Sequence, residues 1–280
     1  MGGSGGEPVT VFVPDRLKPL SVGNKVRIGN RSDGGYVVTE KTIAETDALA
    51  GLGVATDWSF EEDFFARKQG NIPIHCYDNR VTPLRFLEVS AGGLLGYVLP
   101  SRKAKRKRKS VFPKFVRFFI LNPGVSLYHA TIGIGAGTLG VIDVLKKFEN
   151  KSAILLKMDI EGGEYDVLPE IRQSQEELIG AVIEFHDCTA KMKRILEFVD
   201  DMSDSFCISH IEANNMGGIG RTGMPNVMTL TFERTALVER SAVPCAYPVD
   251  GLDFPNDPNA PLFRIEFVSD LPTEDTGKLH

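Results

Sequence analysis

Cysteine is scarce and scattered. The four residues Cys76, Cys188, Cys207 and Cys245 contain no Cys-x-x-Cys pair, and three lie in or beside apolar runs. That spacing argues against a zinc site or a disulfide framework. It favours buried thiols in a reducing compartment, so a cytoplasmic location is expected. No apolar run approaches the roughly 20 residues that a membrane helix needs. Positive charge is not in excess either: 32 basic against 37 acidic side chains leave a net charge of -5, which gives no global attraction to nucleic acid. No internal repeat and no long linker divide the chain. The opening MGGSGG reads as a flexible stretch and not as a secretory leader. What remains is a soluble chain, 42% hydrophobic, suited to one large core.

Within that core, short apolar runs alternate with helical spacing. "KVRIGNRSDGGYVV" reads as a hairpin. "DALAGLGV" and "IPIHCYD" are strands on either side of the helical "SFEEDFFARKQG". "VSLYHATI", "AILLKMD" and "LIGAVIEFHD" continue the series, with helices in "VIDVLKKFEN", "EYDVLPEIRQS" and "AKMKRILEFVDDM" between or after them. Two strands in succession, "FCISHIEANN" and "NVMTLTFER", follow. Strand–helix alternation ending in two consecutive strands predicts a doubly wound α/β sheet, mostly parallel, with one antiparallel strand. Residues 1–24 read as an irregular segment and 25–240 as the domain, with a basic insertion near 100–112. Residues 241–280 read as an extended, proline-rich tail packing on it.

In open parallel sheets ligands bind beyond the C-terminal strand ends. Polar groups and glycines recur there: Gly51, Gly53 and Asp57; Asp78; the loop from Gly133 to Gly140; Asp159 and Glu161; Glu184, His186 and Asp187; His210, Asn214 and Asn215. Two nucleotide-binding readings compete. One uses Gly51 and Gly53, with Asp78 placed to accept both hydroxyls of a ribose. The other uses Gly135, Gly137 and Gly140, a literal G-x-G-x-x-G between a strand and a helix, which would bind NAD.

Five blocks, in order from about Lys25 to Phe254, carry a resemblance. "KMDIEGGEYDVL" resembles the K-[MI]-D-[IV]-E-G-x-E-x-x-VL block of the FkbM-like S-adenosylmethionine-dependent methyltransferases, and "IEFHD" resembles their next strand. "RIGNRSDGGYVV", "GLGVATDWSFEEDFF" and the late "HIEANNMGG" with "MPNVMTLTFER" are similar to elements of one branch. The resemblance implies a class I methyltransferase fold of about seven strands and O-methylation of a sugar, glycan or similar polyol. It implies that Gly51, Gly53 and Asp78 face the methyl donor. Asp57, Gly133, Asp159 and Glu161 complete the expected donor-binding set, and Asp33, Tyr36, Asn214 and Asn215 the expected acceptor-binding set.

Methyl transfer from a sulfonium is an in-line displacement that needs alignment and removal of a hydroxyl proton. Asp159 and His186 are the expected catalytic groups, with His210 in reserve; an unperturbed imidazole titrates near neutral pH and suits a base. Glu161 and Glu164 also suit the start of the following helix. Asp159, Glu184 and His186 could jointly hold a divalent ion, although S-adenosylmethionine is the only cofactor the reading requires and a metal is not expected. The basic run at 102–109 offers a surface for an anionic partner; few aromatics interleave with it, which argues against a stacking nucleic-acid platform. The rival readings are an NAD-dependent oxidoreductase using Gly135–Gly140 and a non-catalytic module binding glycans or nucleic acid.

Overall fold

The computed structural model describes residues 8–81, 111–243 and 245–269; the basic run 102–109 lies outside them. The strands are β1 (Val9–Pro14), β2 (Lys25–Ile28), β3 (Tyr36–Thr39), β4 (Ala48–Leu52), β5 (Ile74–Tyr77), β6 (Val125–Tyr128), β7 (Thr131–Ile132), β8 (Thr138–Leu139), β9 (Ile154–Met158), β10 (Leu178–Phe185), β11 (Phe206–Ala213), β12 (Met228–Arg234) and β13 (Phe263–Val268). The helices are α1 (Glu40–Glu45), α2 (Ser59–Arg67), α3 (Val111–Phe115, running into a π-turn over Val116–Ile120), α4 (Val141–Leu145), α5 (Glu164–Gln173) and α6 (Cys188–Met202).

Seven strands form the main sheet in the order β11-β12-β10-β9-β4-β5-β6. Strands β6, β5, β4, β9 and β10 are parallel neighbours, and β12 runs antiparallel between β10 and β11. Strand order therefore reverses at β4, with β5 to one side and β9 to the other. This is the class I methyltransferase arrangement, and the reversal places a crevice beyond the ends of β4 and β9. Every residue of β4 and β9 is buried, as expected for strands covered on both faces.

Side-chain alternation sorts the two faces. Ala50, Leu52, Leu156, Met158, Ile183 and Phe185 pack with residues of α4, α5 and α6. Leu49, Leu155 and Val182 pack with Phe60 and Phe64 of α2, Ile43 of α1 and Phe118 of α3. Because alternation fixes direction, Lys157 and Glu184 point to this second face, toward α2 and the β2–β3 hairpin.

Two expectations change. The segment before residue 24 contains β1, which pairs in parallel with β13 from Val9↔Phe263 to Pro14↔Val268. Pro8 precedes the strand and Pro14 ends it, which masks it in the sequence, and its partner lies near the other end of the chain. The tail is likewise more than an extended coat: Tyr247, Asp253, Asn256, Phe263 and Ile265 are all buried. No helix among the described residues is long and apolar enough to cross a membrane.

Candidate active site

The turn after β4 is built by a close backbone crossing. Gly53 has φ +75°, and a Cβ there would lie 1.7 Å from the carbonyl oxygen of Asp159. Gly53 N–H donates to Tyr77 O (2.9 Å) and Asp159 N–H to Leu52 O (3.0 Å), so the ends of β4, β5 and β9 are stapled together. Gly51 has a different reason for lacking a side chain. A Cβ there would stand 2.6 Å from Oε1 of Glu61, which lies fully buried on α2. Burial pushes the Glu61 carboxyl up, opposed by the nearby Lys157 charge. The Lys157 ammonium donates to Gly53 O (2.8 Å) and sits over the Tyr36 ring, 5.5 Å from its centroid. Sequence reasoning missed this buried acid and base. A signal existed: Glu61 and Phe64 share one face of α2 at i,i+3 spacing.

Beyond this turn lies a cavity of about 250 Å³ whose lining includes Gly53, Asp78, Ile132, Ile160 and Glu161. The Asp78 carboxylate accepts from Ala55 N–H (2.9 Å) and Arg80 N–H (2.6 Å), which fix its orientation in the wall. Gly133 lies one residue beyond the lining residue Ile132, in the small β7–β8 ribbon, where its N–H donates to Leu139 O. The G-x-G-x-x-G run spans this same ribbon. Its preceding strand is the two-residue β7, outside the main sheet, and a Cβ on Gly135 or Gly137 would meet nothing within 4 Å. The fingerprint thus lacks the sheet strand that gives it meaning.

Next to the cavity, β9 and β10 deliver Asp159, Glu184 and His186 to one place. His186 Nε2 stands 3.9 Å from Asp159 Oδ1, 3.7 Å from Glu161 Oε2 and 3.8 Å from Glu184 Oε1. On the other side of the ring, Nδ1 faces Glu164 Oε1 at 3.2 Å, and the same oxygen accepts from His186 N–H at 2.6 Å. Glu164 Oε2 accepts from Gly162 N–H (2.8 Å). So Glu164, read from sequence as a helix-start residue, instead ties the β9 turn to His186. Tyr165 donates its hydroxyl to the His186 carbonyl. Tyr36 donates to Asp159 Oδ2 (3.3 Å); burial, with Glu184 and Asp159 beside it, keeps that phenol protonated. Asn214 and Thr229 donate to the two oxygens of Glu184, each at 3.2 Å.

The electrostatics follow from crowding. Burial, reinforced by Asp159, pushes the Glu184 carboxyl up to about 8. Burial opposes charge on His186, but Glu164, Glu184 and Asp159 outweigh it and push the imidazole up to about 9. The sequence expectation of a base titrating near neutrality assumed an unperturbed ring; these carboxylates favour the imidazolium.

The other expected residues divide. Asp33, exposed on the hairpin, accepts from Asn256 (3.4 Å). Asp57 accepts from Ser59 N–H (2.9 Å) and from Asn30, which secures the start of α2. Asn215 donates to the carbonyls of Asp257, Ala260 and Pro261 and accepts from Asp257 N–H, so its amide holds the tail. His210 is not brought to the cluster at all. It is buried against Asp253 of the tail at 2.7 Å, beside Lys25, and burial pushes its pKa down. Nothing in the local sequence marks Asp253 as its partner, since 43 residues separate them.

Residues 110–206, about a third of the chain, match the family model described as the Methyltransferase FkbM domain. The match contains β6, β9 and β10, and with them Asp159, Glu161, Glu164, Glu184 and His186. No curated protein matches. Among solved structures, the methyltransferase FkbM from Methylobacillus flagellatus KT is similar over 66% of this chain and 43% of its own, at 10% identity and TM-score 0.38. This chain therefore spans less than half the length of that relative. A precorrin-6y C5,15-methyltransferase from Geobacter metallireducens GS-15 is similar over 69% and 84%, at 9% identity and TM-score 0.36. A tRNA (uracil-54, C5)-methyltransferase from Pyrococcus abyssi, in complex with S-adenosyl-L-homocysteine, is similar over 75% and 44%, at 10% identity and TM-score 0.34. The fold itself is identified by strand order, not by these overlays. The segment 110–206, flanked in chain order by the "GLG…SFE" and "HIEANN" blocks, thus matches the FkbM methyltransferase domain.

Proposed function

We propose that the protein transfers a methyl group from S-adenosylmethionine to a hydroxyl of a sugar, glycan or similar polyol. The observation that carries this reading is the cavity beyond β4 and β5, which runs from Gly53 and Asp78 to Glu161, beside the Asp159–His186 cluster. Asp78 accepts the donor's ribose hydroxyls; a carboxylate has lone pairs left after its two backbone contacts. Gly53 lets the backbone approach the donor, and the acids around Asp159 favour the cationic sulfonium end. The acceptor lies on the hairpin side, where Asp33, Tyr36 and Asn214 face it. The reacting hydroxyl loses its proton at the Asp159–Glu184–His186 cluster as its oxygen attacks the methyl carbon. The C–S bond breaks as the C–O bond forms, leaving a methyl ether and S-adenosylhomocysteine. Most of the rate comes from alignment, because the donor brings its own reactivity.

Calorimetry with S-adenosylhomocysteine and with NAD tests the donor. Binding of the first and not the second is expected; the reverse outcome overturns the reading in favour of the oxidoreductase. Label transfer from methyl-labelled donor to a panel of polyols and glycans then tests the acceptor. Transfer only to amines or nucleobases would remove the hydroxyl assignment.

A further inference from the structure

The Asp159–Glu184–His186 cluster has an arrangement that ion pairing does not explain. Each side chain is held by neighbours and turns a nitrogen or oxygen toward a shared gap. His186 is held at Nδ1 by Glu164, Asp159 at Oδ2 by Tyr36, and Glu184 at Oε2 by Thr229 and at Oε1 by Asn214. The atoms turned inward are His186 Nε2, Asp159 Oδ1 and Glu184 Oε1, the last keeping a lone pair beyond its contact with Asn214, and one ligand atom from each of the three residues lies within 4.8 Å of the others. The two contacts to Nε2 within this set, 3.8 and 3.9 Å, are too long for hydrogen bonds, and Nε2 makes none among the described residues. Three polar atoms turned inward without touching leave room for something between them.

A divalent ion fits that room. Nitrogen and oxygen ligands sit about 2.1 Å from a small divalent metal, which puts neighbouring ligand atoms about 3.0–3.4 Å apart. The two contacts to Nε2, at 3.8 and 3.9 Å, close by about 0.4–0.9 Å, and the two carboxylate oxygens, within 4.8 Å of each other, by less than about 2 Å. The supporting contacts are those of a metal site, where a carboxylate fixes the far nitrogen of a ligating histidine and donors hold the ligating carboxylates. One imidazole with two carboxylates suits a first-row transition ion such as manganese or zinc better than calcium. Glu161, with Oε2 at 3.7 Å from Nε2 and its side chain 63% exposed, stands at the solvent side as an additional oxygen.

We propose that Asp159, Glu184 and His186 hold a first-row divalent cation whose open positions take the acceptor hydroxyl. The role, though not the binding, rests on the methyl-transfer reading. The cation binds the hydroxyl oxygen and lowers its pKa. The proton leaves to a carboxylate oxygen not engaged with the ion, with Glu161 nearest to solvent, and the bound alkoxide attacks the methyl carbon. This gives the imidazole a positioning task in place of a base's.

The test uses the full chain, freed of metal by chelation and titrated with Mn²⁺ alone, followed by electron paramagnetic resonance and calorimetry. One saturable site is expected. Asp159→Asn, Glu184→Gln and His186→Gln should each weaken it by about 100-fold or more, and Tyr36→Phe by about 10-fold. Co²⁺ substitution should give d–d absorption that His186→Gln alters. Circular dichroism and thermal denaturation of the same variants report folding independently. Absence of saturable Mn²⁺, Co²⁺ or Zn²⁺ binding by a chain that binds S-adenosylhomocysteine overturns the cation site and leaves the methyl-transfer reading standing. Metal binding that all three ligand variants retain also overturns it. A chain that binds Mn²⁺ at these residues but no S-adenosylhomocysteine keeps the site and loses the donor assignment.

Discussion

His186 follows β10 and His210 lies on β11, two strands of one sheet separated by β12; each has carboxylates beside it, yet they do opposite things. Around His210 the polar groups are shut in from solvent and most are closely paired, Glu212 Oε1 being the buried exception. Its side chain is 3% exposed and meets Asp253 at 2.7 Å, and Lys25 stands at the other ring nitrogen, 3.4 Å away. Arg27 meets Glu212 at 2.9 Å, both nearly without solvent contact. Around His186 the carboxylates are held back at 3.7–3.9 Å from Nε2, and Asp159 keeps a quarter of its side chain in solvent. The first arrangement joins the hairpin, β11 and the tail into one body. The second leaves directed atoms facing a gap at the sheet's ligand-binding edge. The same residue types read as structure or as chemistry according to whether their contacts are closed.

Breaking the closed cluster should cost the most stability. Arg27→Ala leaves Glu212 buried without its partner and should lower unfolding free energy by about 3–5 kcal/mol, read from urea denaturation. Asp159→Asn should do the reverse, lowering turnover by about 100-fold or more while the denaturation midpoint moves little. An Asp159 variant that unfolds as readily as the Arg27 variant would erase the contrast. Between these lies Asp78→Ala, expected to weaken S-adenosylhomocysteine binding by about 10- to 100-fold, the loss of a charged hydrogen-bond acceptor. Unchanged affinity would displace the donor from this cavity.

A pH profile sharpens the comparison further. His186 and Glu184, pushed up to about 9 and about 8, keep protons that the unfolded chain has released, so the metal-free fold loses stability as pH rises through those values. The Glu212 carboxyl, raised by burial against the pull of Arg27 to about 7, gives the same sign but finishes earlier. His210, kept neutral by burial, acts oppositely: its contribution is present above the ordinary histidine value and is lost as pH falls through its lowered pKa. The slope of thermal stability between about pH 7 and 9 therefore reports the open cluster, and His186→Gln should flatten it. The smallest effect should come from Glu197→Gln, which breaks an exposed pair with Lys193 on α6; a change above about 0.5 kcal/mol would be unexpected.

How far these roles are legible in sequence differs residue by residue. Asp78, Asp159, Glu184 and His186 end apolar runs, and the C-terminal edge of a parallel sheet is where such endings collect. Alternation of strand and helix likewise predicts the sheet, its parallel character and its reversed strand. The signal fails where two groups meet across unrelated segments. Glu164 reads as a helix-start residue until His186 is seen against it. Glu61 sits among acids in the sequence, yet in the core it is fully buried with Lys157 as its nearby opposite charge.

By itself, then, the sequence determines the class I architecture and which side chains reach its ligand edge, because strand period and strand endings are local properties of the chain. Tertiary structure alone decides that β1 closes on β13, that the glycine-rich run at 133–140 stands off the main sheet, and that one histidine is sealed while another is left facing a gap. Those outcomes depend on burial and on partners dozens to hundreds of residues away, which no local pattern encodes.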